Sequence, residues 1–172
     1  GTVKGFETLL QKKIDKYTGW VSYTFIDSEN IYPLLNDGNP FPAPNTQKNE
    51  FKIFNNYEIN GWNFSLNFIY GSGKAFTEPS YNYNITLLDE SELNYIGVGP
   101  KNGSLLPDYH RLDISVHHMF NLEKAKGDIG LSIFNLYNKL NIWYYEYNFD
   151  QRPYVRQTKN YLGIIPNLSF KL

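Results

Sequence analysis

The segment Gly61–Gly71 reads Gly-Trp-Asn-Phe-Ser-Leu-Asn-Phe-Ile-Tyr-Gly, and its side chains alternate between large apolar groups and small polar ones. A period of two predicts a β-strand, because successive side chains leave opposite faces of the pleated backbone. Uncharged polar groups on one face, with aromatic residues near both ends of the other, are typical of a strand that spans a membrane within a barrel. The two faces carry Trp62, Phe64, Leu66, Phe68 and Tyr70 on the apolar side, and Asn63, Ser65 and Asn67 on the polar side.

The composition favours strands over helices and argues against several classes of function. Aromatic residues make up 17% of the 172 residues, and bulky rings suit a pleated surface. The net charge of −1 argues against a nucleic-acid partner. The chain has no cysteine, which excludes disulfides, thiolate metal sites and a cysteine nucleophile. The mean hydropathy of −0.48 does not exclude a membrane barrel, because alternating strands average to a weak signal.

The same alternation recurs along the chain and predicts seven β-strands. The predicted strands are Val3–Ile14, a strand carrying Val21–Phe25, Phe51–Ile59, Gly61–Gly71, a strand from Tyr109 to Phe120, a strand from Gly127 that passes an irregularity at Asn135–Asn138 and continues through Tyr145, and a last strand carrying Leu162–Phe170. Together with the apolar side of Gly61–Gly71, the predicted lipid-facing residues are Leu112, Ile114, Val116, Ile129, Leu131, Ile133, Leu168 and Phe170.

The connections between these strands alternate in length, which predicts their sides of the membrane. The predicted short turns are Asp15–Tyr17, Asn60–Gly61 and Asn121–Lys126, and Asn-Gly is the strongest hairpin signal in the chain. The predicted long irregular connections are Asp27–Lys48 and Ser72–Pro107, and a moderate loop lies around Asp150–Pro153. Because outer-membrane barrels have short periplasmic turns and longer outer loops, we expect the C-terminus to lie in the periplasm.

Four motifs occur in order at Tyr17–Thr24, Tyr70–Phe76, Leu106–Asp113 and Ser132–Asn138. They resemble the C-terminal β-barrel region of TonB-dependent outer-membrane receptors, and the resemblance covers nearly the whole chain. It implies an all-β, antiparallel transmembrane barrel of roughly 22 strands in a Gram-negative outer membrane. Residues 1–172 would supply about the last seven strands, and the chain would be a fragment or one piece of that barrel.

The resemblance also implies partners and a transport function. The receptor would add its remaining strands, a plug domain and an N-terminal segment that binds the TonB complex. It would import a scarce ligand with TonB-coupled energy, perform no covalent chemistry and need no cofactor. Outer-membrane lipid would surround the barrel, and a surface lipoprotein lid could cooperate with it. Seven strands alone would leave unpaired edge groups in hydrocarbon, each of which costs several kcal/mol.

Candidate site residues are few. The outer-loop tyrosines Tyr81, Tyr83 and Tyr95 could stack on a sugar or on the ring of a chelate. Barrels of this kind usually end in an aromatic residue that the assembly machinery reads, and the candidates for that signal are Phe170 and Leu172.

Other motifs point to structure rather than chemistry. The segment Gly71–Ala75 lacks the glycine, the Ser or Thr and the helix that a phosphate-binding loop requires. His117 and His118 are adjacent and face opposite sides of a strand, so with His110 they do not predict a metal site. The remaining charged candidates are the acidic loop residues Asp89, Glu90 and Glu92, interpreted as a solvated cluster, and Arg111 and Asp113, interpreted as partners of neighbouring residues facing the barrel lumen.

Two alternatives remain open at the level of sequence. A passive porin-type barrel would share the strands but lack the plug and the TonB segment, so residues preceding Gly1 would distinguish it. A secreted β-sandwich that binds glycans through exposed aromatic residues would stay monodisperse in plain buffer. The transporter would be contradicted if a dry protein core enclosed Phe64, Leu66, Phe68, Ile114 and Leu131.

Overall fold

The computed structural model describes residues 1–44, 46–123, 125–151 and 153–172 and shows an all-β chain built of antiparallel sheets. Asn45, Lys124 and Arg152 belong to predicted connections and lie outside the described residues. In that part of the chain, no helix is long and apolar enough to cross a membrane. The strands are β1 Thr2–Ile14, β2 Tyr17–Asn30, β3 Phe41–Pro42, β4 Asn49–Ile59, β5 Trp62–Gly71, β6 Ala75–Phe76, β7 Pro79–Thr86, β8 Glu92–Val98, β9 Ser104–Leu105, β10 Tyr109–Asn121, β11 Lys126–Phe134, β12 Ile142–Asn148, β13 Val155–Asn160 and β14 Ile165–Lys171, with a short 3-10 turn at Asn36–Gly38.

The main sheet of the described chain follows the order β1-β2-β4-β5-β10-β11-β14, with β3 added to β2. Every neighbouring pair is antiparallel. The seven strands of this order correspond to the seven predicted strands. Within the described residues β1 and β14 are the two ends of the order and do not pair with each other, so this part of the chain shows an open sheet.

The register keeps large apolar side chains on one face of the main sheet. Leu66 lies opposite Ile114, and Ile114 lies opposite Ile133. Directly opposite residues in an antiparallel pair share a face. The apolar face therefore contains every residue predicted to face lipid: Trp62, Phe64, Leu66, Phe68, Tyr70, Leu112, Ile114, Val116, Ile129, Leu131, Ile133, Leu168 and Phe170.

The other side of the same strands is the polar face. It carries small hydroxyl and amide side chains in the middle of the sheet, and a charged pair nearer the end at which β10 begins. Trp20 and Phe54 interrupt it with stacked rings whose centroids are 6.1 Å apart. The polar residues of this face include Lys52, Asn56, Asn63, Ser65, Asn67, Arg111, Asp113, Ser115, Ser132, Asn167 and Ser169.

The exposure of the two faces is the reverse of that in a soluble protein, because apolar side chains are the more exposed ones and charged side chains the less exposed ones. On the apolar face, Leu131 is 50% exposed and Leu168 is 72% exposed. On the polar face, the side chains of Arg111 and Asp113 are only 19% and 21% exposed. A depression of ≈ 400 Å³ lies on this face beside Asp113. Among the described residues only Phe41 and Ala75 are buried hydrophobic residues, and both lie in strands outside the main seven.

The connections of the main sheet differ in length between the two ends of its strands. In the names given below, an edge is the row of strand ends on one side of the sheet and not an edge strand. Residues 15–16, 60–61 and 122–125 join neighbouring strands at one edge, here called the short-turn edge. The connections from β2 to β4, from β5 to β10 and from β11 to β14 all leave the main sheet and return to it at the opposite edge, here called the long-connection edge. Because antiparallel strands alternate in direction, β14 ends the chain at the short-turn edge. The third long connection is longer than the moderate loop predicted from the sequence.

The prediction that Ser72–Pro107 is irregular is wrong. This connection contains β6, β7, β8 and β9, with β7 paired to β8 and β6 paired to β9. Asparagine alternates with tyrosine along β7, so a period of two is present. The sequence prediction missed it because asparagine, serine and proline are also common in loops. The first long connection is also shorter than predicted, because β2 continues to Asn30 and pairs with β3.

The predicted course of the last two strands is wrong as well. β11 ends at Phe134, and β12 pairs with β13 as a separate hairpin at the long-connection edge. Asn135 and Asn138 have positive φ angles of 54° and 53°, which end the extended backbone. β14 begins at Ile165, so Leu162 and Ile164 lie outside the last strand.

The turn between β4 and β5 provides a test of the register. Asn60 and Gly61 have φ angles of 50° and 79°, as a two-residue type I′ turn requires. A Cβ atom on Gly61 would lie 2.7 Å from the carbonyl oxygen of Met119. We expect Gly61→Ala to lower the free energy of unfolding, measured by urea denaturation, by roughly 1–3 kcal/mol. The control Asn60→Gly keeps the positive φ and should change it little, and equal stability of both variants would contradict the turn geometry.

Candidate functional site

A cavity of ≈ 230 Å³ lies where the polar face meets the long connections. Its floor belongs to β4, β5 and β10, and its walls come from all three long connections. We call it the rim pocket, and its chemistry comes from Gln47, Glu50, Lys74, Tyr109, Trp143 and Tyr161.

Glycine residues make the floor of the rim pocket possible. Gly71 ends β5 between Glu50 and Tyr109, and a Cβ atom there would collide with the side-chain amide of Gln47. A Cβ atom on Gly73 would collide with the backbone carbonyl of Leu106. The segment Gly71–Ala75 is therefore a strand end at which other groups approach the backbone closely.

Asp108 fixes the start of β10 against the end of β5. Its Oδ1 accepts a hydrogen bond from the backbone N–H of Gly73 at 3.0 Å, and its Oδ2 accepts one from the hydroxyl of Tyr70 at 2.6 Å. Both halves of the second long connection are thereby held beside the pocket. These contacts give Tyr70 and Asp108 a structural role at the margin of the pocket.

Aromatic side chains form one wall of the rim pocket. The ring centroids of Trp143 and Tyr161 are 5.8 Å apart, and Tyr109 contacts Tyr161 edge-on at 5.7 Å. Trp143 is 56% exposed, so much of its indole surface is accessible. The neighbouring Asn141 holds this segment in place: its Oδ1 accepts from the N–H of His110 at 3.0 Å, and its Nδ2 donates to the carbonyl of His110 at 2.8 Å. Asn141 thus pairs with β10 as a strand residue would.

Asn135 anchors the third long connection to the sheet. Its side chain is 0% exposed, and its Nδ2 donates to the carbonyls of Lys139 at 2.9 Å and Leu162 at 3.2 Å. Its Oδ1 accepts from the N–H of Lys139 at 3.0 Å. Its own N–H donates to Asp113 at 2.9 Å, which connects the turn to the polar face.

Arg111 and Asp113 share a face, as the sequence indicates, and bond to each other. Nε of Arg111 donates to Asp113 at 3.0 Å, and a second guanidinium nitrogen lies 3.1 Å from the hydroxyl oxygen of Tyr109. The guanidinium also lies 4.0 Å from the ring centroid of Phe134. With Asn135 on the other side of Asp113, this network supports Tyr109 from below.

The rim pocket carries one cation that has no ion-pair partner among the described residues. The carboxylate of Glu50 is 2.7 Å from Nζ of Lys52, so that charge is compensated. Lys74 lines the same cavity and forms no ion pair with the residues that the structure describes. Of the two charged side chains that line the cavity, only that of Lys74 therefore lacks an ion-pair partner in the described part of the chain. The neighbouring carboxylate of Asp108 is not part of the lining and accepts hydrogen bonds from Gly73 and Tyr70.

The tyrosines predicted as ligand contacts come together, but away from the rim pocket. Tyr83 lies opposite Tyr95 on the β7–β8 hairpin, with ring centroids 5.2 Å apart, and Tyr81 stacks on Tyr83 at 5.9 Å. Gly97 opposite Tyr81 leaves room for its ring. The three rings form an exposed row on one side of the hairpin.

The three histidines are separate. His117 lies 3.2 Å from Asp128, a neighbour on β11 that the sequence reading missed. His118 stacks on Trp62 at 4.3 Å, on the apolar face beside Phe120. His110 contacts the hydroxyl of Tyr137 at 2.7 Å. Within the described ranges no three His, Asp or Glu side chains lie close enough to hold a metal ion.

The acidic loop residues do not form a shared site in the part of the chain that the structure describes. Asp89 accepts hydrogen bonds from the hydroxyl of Ser91 at 2.6 Å and from its N–H at 3.1 Å, and these bonds lower the pKa of the carboxyl. Glu92 bonds to Asn84 across the hairpin. The assembly candidate Phe170 lies opposite Ile129 on the apolar face, and Leu172 ends the chain at the short-turn edge.

A junction around Glu78 joins the second and third long connections, and the sequence reading missed it. The carboxylate accepts from the hydroxyl of Ser104 at 3.1 Å, from Arg156 at 3.2 Å and from the hydroxyl of Tyr147 at 3.4 Å. Burial, and then the negative charge of Glu78, raises the pKa of Tyr147, so its phenol stays protonated and can donate. No local pattern indicates these pairs, because their members are far apart in sequence.

Replacement of Glu78 is expected to loosen the hairpins that meet at this junction. Glu78→Gln removes the ion pair with Arg156, which is half-exposed, so we expect less than about 1 kcal/mol of destabilisation. Hydrogen exchange in β7 as well as in β12 and β13 should become a few-fold faster, because Glu78 directly precedes β7 and bonds to the β12–β13 hairpin. The control Glu146→Gln removes the exposed pair with Lys159 within that hairpin and should have a smaller effect on β7. Unchanged exchange in both hairpins would contradict the role of Glu78.

The chain has no match at any of the three levels of comparison, which are protein-family models, curated proteins and solved structures.

Proposed function

We propose that this chain is a C-terminal wall segment of a TonB-dependent active transporter in a Gram-negative outer membrane. The observation that carries the proposal is the reversed exposure of the two faces of the main sheet. Large aliphatic and aromatic side chains cover the more exposed face, and the partly buried face carries hydroxyls, amides and a charged pair. A membrane barrel has this arrangement, because lipid covers its outside and its interior is polar.

In water, such an apolar face would be unfavourable. Each square ångström of apolar surface buried gains about 25 cal/mol, and large exposed apolar patches are rare on soluble monomers. Hydrocarbon would cover the face without any partner protein. The polar Asn55, which lies on this face, accepts a hydrogen bond from the hydroxyl of Tyr17 at 2.5 Å, as a polar group facing lipid requires.

The distribution of long and short connections between the two edges supports one orientation of the sheet in the membrane. All three long connections lie at one edge and the short turns lie at the other, which matches outer loops and periplasmic turns. In this orientation the C-terminus is periplasmic and the rim pocket opens near the outer surface. Ligand arriving from outside would meet the long connections first.

The free edges of β1 and β14 define what else the transporter needs. An edge strand in hydrocarbon must pair, because unsatisfied backbone groups cost several kcal/mol each. Further strands of the same receptor would close the barrel to roughly 22 strands. A plug domain, the TonB complex and outer-membrane lipid complete the proposed assembly, and a surface lipoprotein lid could join it.

Fractionation and TonB binding test the proposal. The full-length protein should sediment with the outer membrane and migrate faster in unboiled than in boiled gel samples, as closed barrels do. It should also be retained by immobilised periplasmic domain of TonB. A heat-modifiable membrane protein that TonB does not retain would support a passive porin instead. A protein that is monodisperse in plain buffer would contradict both and support a secreted glycan-binding sandwich.

A further inference from the structure

The size of the rim pocket limits what it can hold. Its volume of ≈ 230 Å³ lies below the roughly 300–1,000 Å³ of pockets that enclose a drug-sized ligand. One ring of a larger molecule therefore fits, with the rest of that molecule outside. The pocket lies at the edge of the polar face, so a chain-like ligand could continue along the hydrated side of the sheet.

The walls suit a ring with one apolar surface and hydroxyl groups on its edge. Trp143 and Tyr161 offer accessible aromatic surface, on which the C–H side of a sugar ring can stack. Gln47 provides an amide that both donates and accepts, and Glu50 provides acceptors. The hydroxyl oxygen of Tyr109 accepts from Arg111, which leaves its proton free to donate to a ligand.

The charge of the pocket lining distinguishes acidic sugars from neutral ones. Lys52 compensates Glu50, whereas Lys74 has no ion-pair partner among the described residues, so the pocket favours an anion. A phosphate ion alone would leave the aromatic wall uncovered. A carboxylate carried on a sugar ring uses both features at once.

We propose that the rim pocket binds a hexuronic acid unit of an acidic polysaccharide, with the ring on Trp143 and the carboxylate at Lys74. This assignment rests on the proposed function, because it names the ligand class that the transporter would capture. Tyr109 and Gln47 bond the ring hydroxyls. Asn141 and Asn135 are positioning residues, which hold the connection that carries Trp143.

Calorimetry on the full-length protein in detergent tests the assignment, with methyl glucuronide, methyl glucoside and the trisaccharides of each as probes. The glucuronides should bind at least tenfold more tightly than the glucosides. Lys74→Met should reduce that ratio to within twofold, whereas Lys101→Met, at an exposed lysine of the same connection, should preserve it. Trp143→Ala should weaken the binding of both sugars at least tenfold, whereas Tyr83→Ala, which removes an exposed ring outside the rim pocket, should not.

Three results would overturn the assignment: no binding of either sugar, equal binding of both by the wild type, or an unchanged ratio in Lys74→Met. Folding of each variant is checked by the mobility difference between boiled and unboiled samples. A heat-modifiable, TonB-binding protein that binds no uronide would overturn the pocket assignment and leave the transporter standing. A water-soluble protein that binds uronides through Trp143 would overturn the transporter and leave the pocket standing.

Discussion

Replacement of Leu131 by arginine is expected to remove the protein from the outer membrane, whereas replacement of the adjacent Ser132 is not. Leu131 lies near the middle of β11 on the apolar face, between Val116 and Leu168. Arginine at the lipid face near the bilayer midplane costs about 2–4 kcal/mol in outer-membrane barrels. In a soluble protein the same change at a half-exposed leucine usually alters stability by less than about 0.5 kcal/mol.

Ser132→Arg is the matched control, because it introduces the same charge one residue away on the opposite face. Ser132 borders the depression of ≈ 400 Å³ on the polar face, which leaves room for a longer side chain in a hydrated environment. The measurement is the amount of each variant in the outer-membrane fraction, together with its unfolding by urea in lipid vesicles. Equal recovery and equal stability of the two variants would contradict a lipid-facing apolar face.

The second large effect is expected from Asn135→Ala. The change removes three side-chain hydrogen bonds at a fully buried position and leaves the carbonyls of Lys139 and Leu162 without that partner. Each of the three hydrogen bonds contributes about 0.5–1.5 kcal/mol, and the positive φ of 54° is less favourable for alanine than for asparagine. We expect a loss of about 3 kcal/mol or more.

Asn135→Gly and Lys139→Ala separate the causes of that loss. Asn135→Gly tolerates the positive φ but loses the same bonds, so it should be nearly as unstable as the alanine variant. Lys139→Ala removes an exposed side chain and keeps the backbone groups that bond to Asn135, so it should be close to neutral. Urea unfolding of all three gives the comparison, and a near-neutral Asn135→Gly would show that the bonds contribute little.

Much of the main sheet could be predicted from sequence, for a physical reason. Residues such as Phe64, Leu66 and Phe68 alternate strictly with Ser65 and Asn67, and a period of two survives without knowledge of the partner strand. The turn at Asn60–Gly61 is equally local, because both residues must adopt positive φ. Closure into a barrel concerns the edges of β1 and β14 and remains a proposal.

The long connections could not be predicted in the same way. The strands β6 and β9 have two residues each, too few to show any period, and they form only because distant segments meet. The end of β11 depends on buried bonds from Asn135 to residues further along the chain. A residue that is common in turns indicates a break in the strand, but it does not reveal where the chain goes next.

The candidate functional residues also differ in whether the local sequence indicates them. The sequence suggests Tyr81, Tyr83 and Tyr95 as ligand contacts because aromatic residues in a loop stand out locally. The β7–β8 hairpin brings the three rings together, and their role as ligand contacts stays a prediction. The rim pocket was missed because Gln47 and Trp143 meet only through the pairing of β4, β5 and β10. A better sequence signal would have been the glycines around Ser72, which mark places where other groups approach the backbone.

The most direct test of a lipid-facing wall uses single cysteines introduced into residues 1–172, which contain no cysteine of their own. Spin labels at each position of β5, Trp62–Gly71, are measured in lipid vesicles for collision with oxygen and with a water-soluble nickel chelate. We expect alternation: labels at 64, 66 and 68 collide with oxygen, and labels at 63, 65 and 67 collide with the chelate. Inaccessibility of 64, 66 and 68 to both reagents would indicate a dry protein core and would contradict a lipid-facing wall.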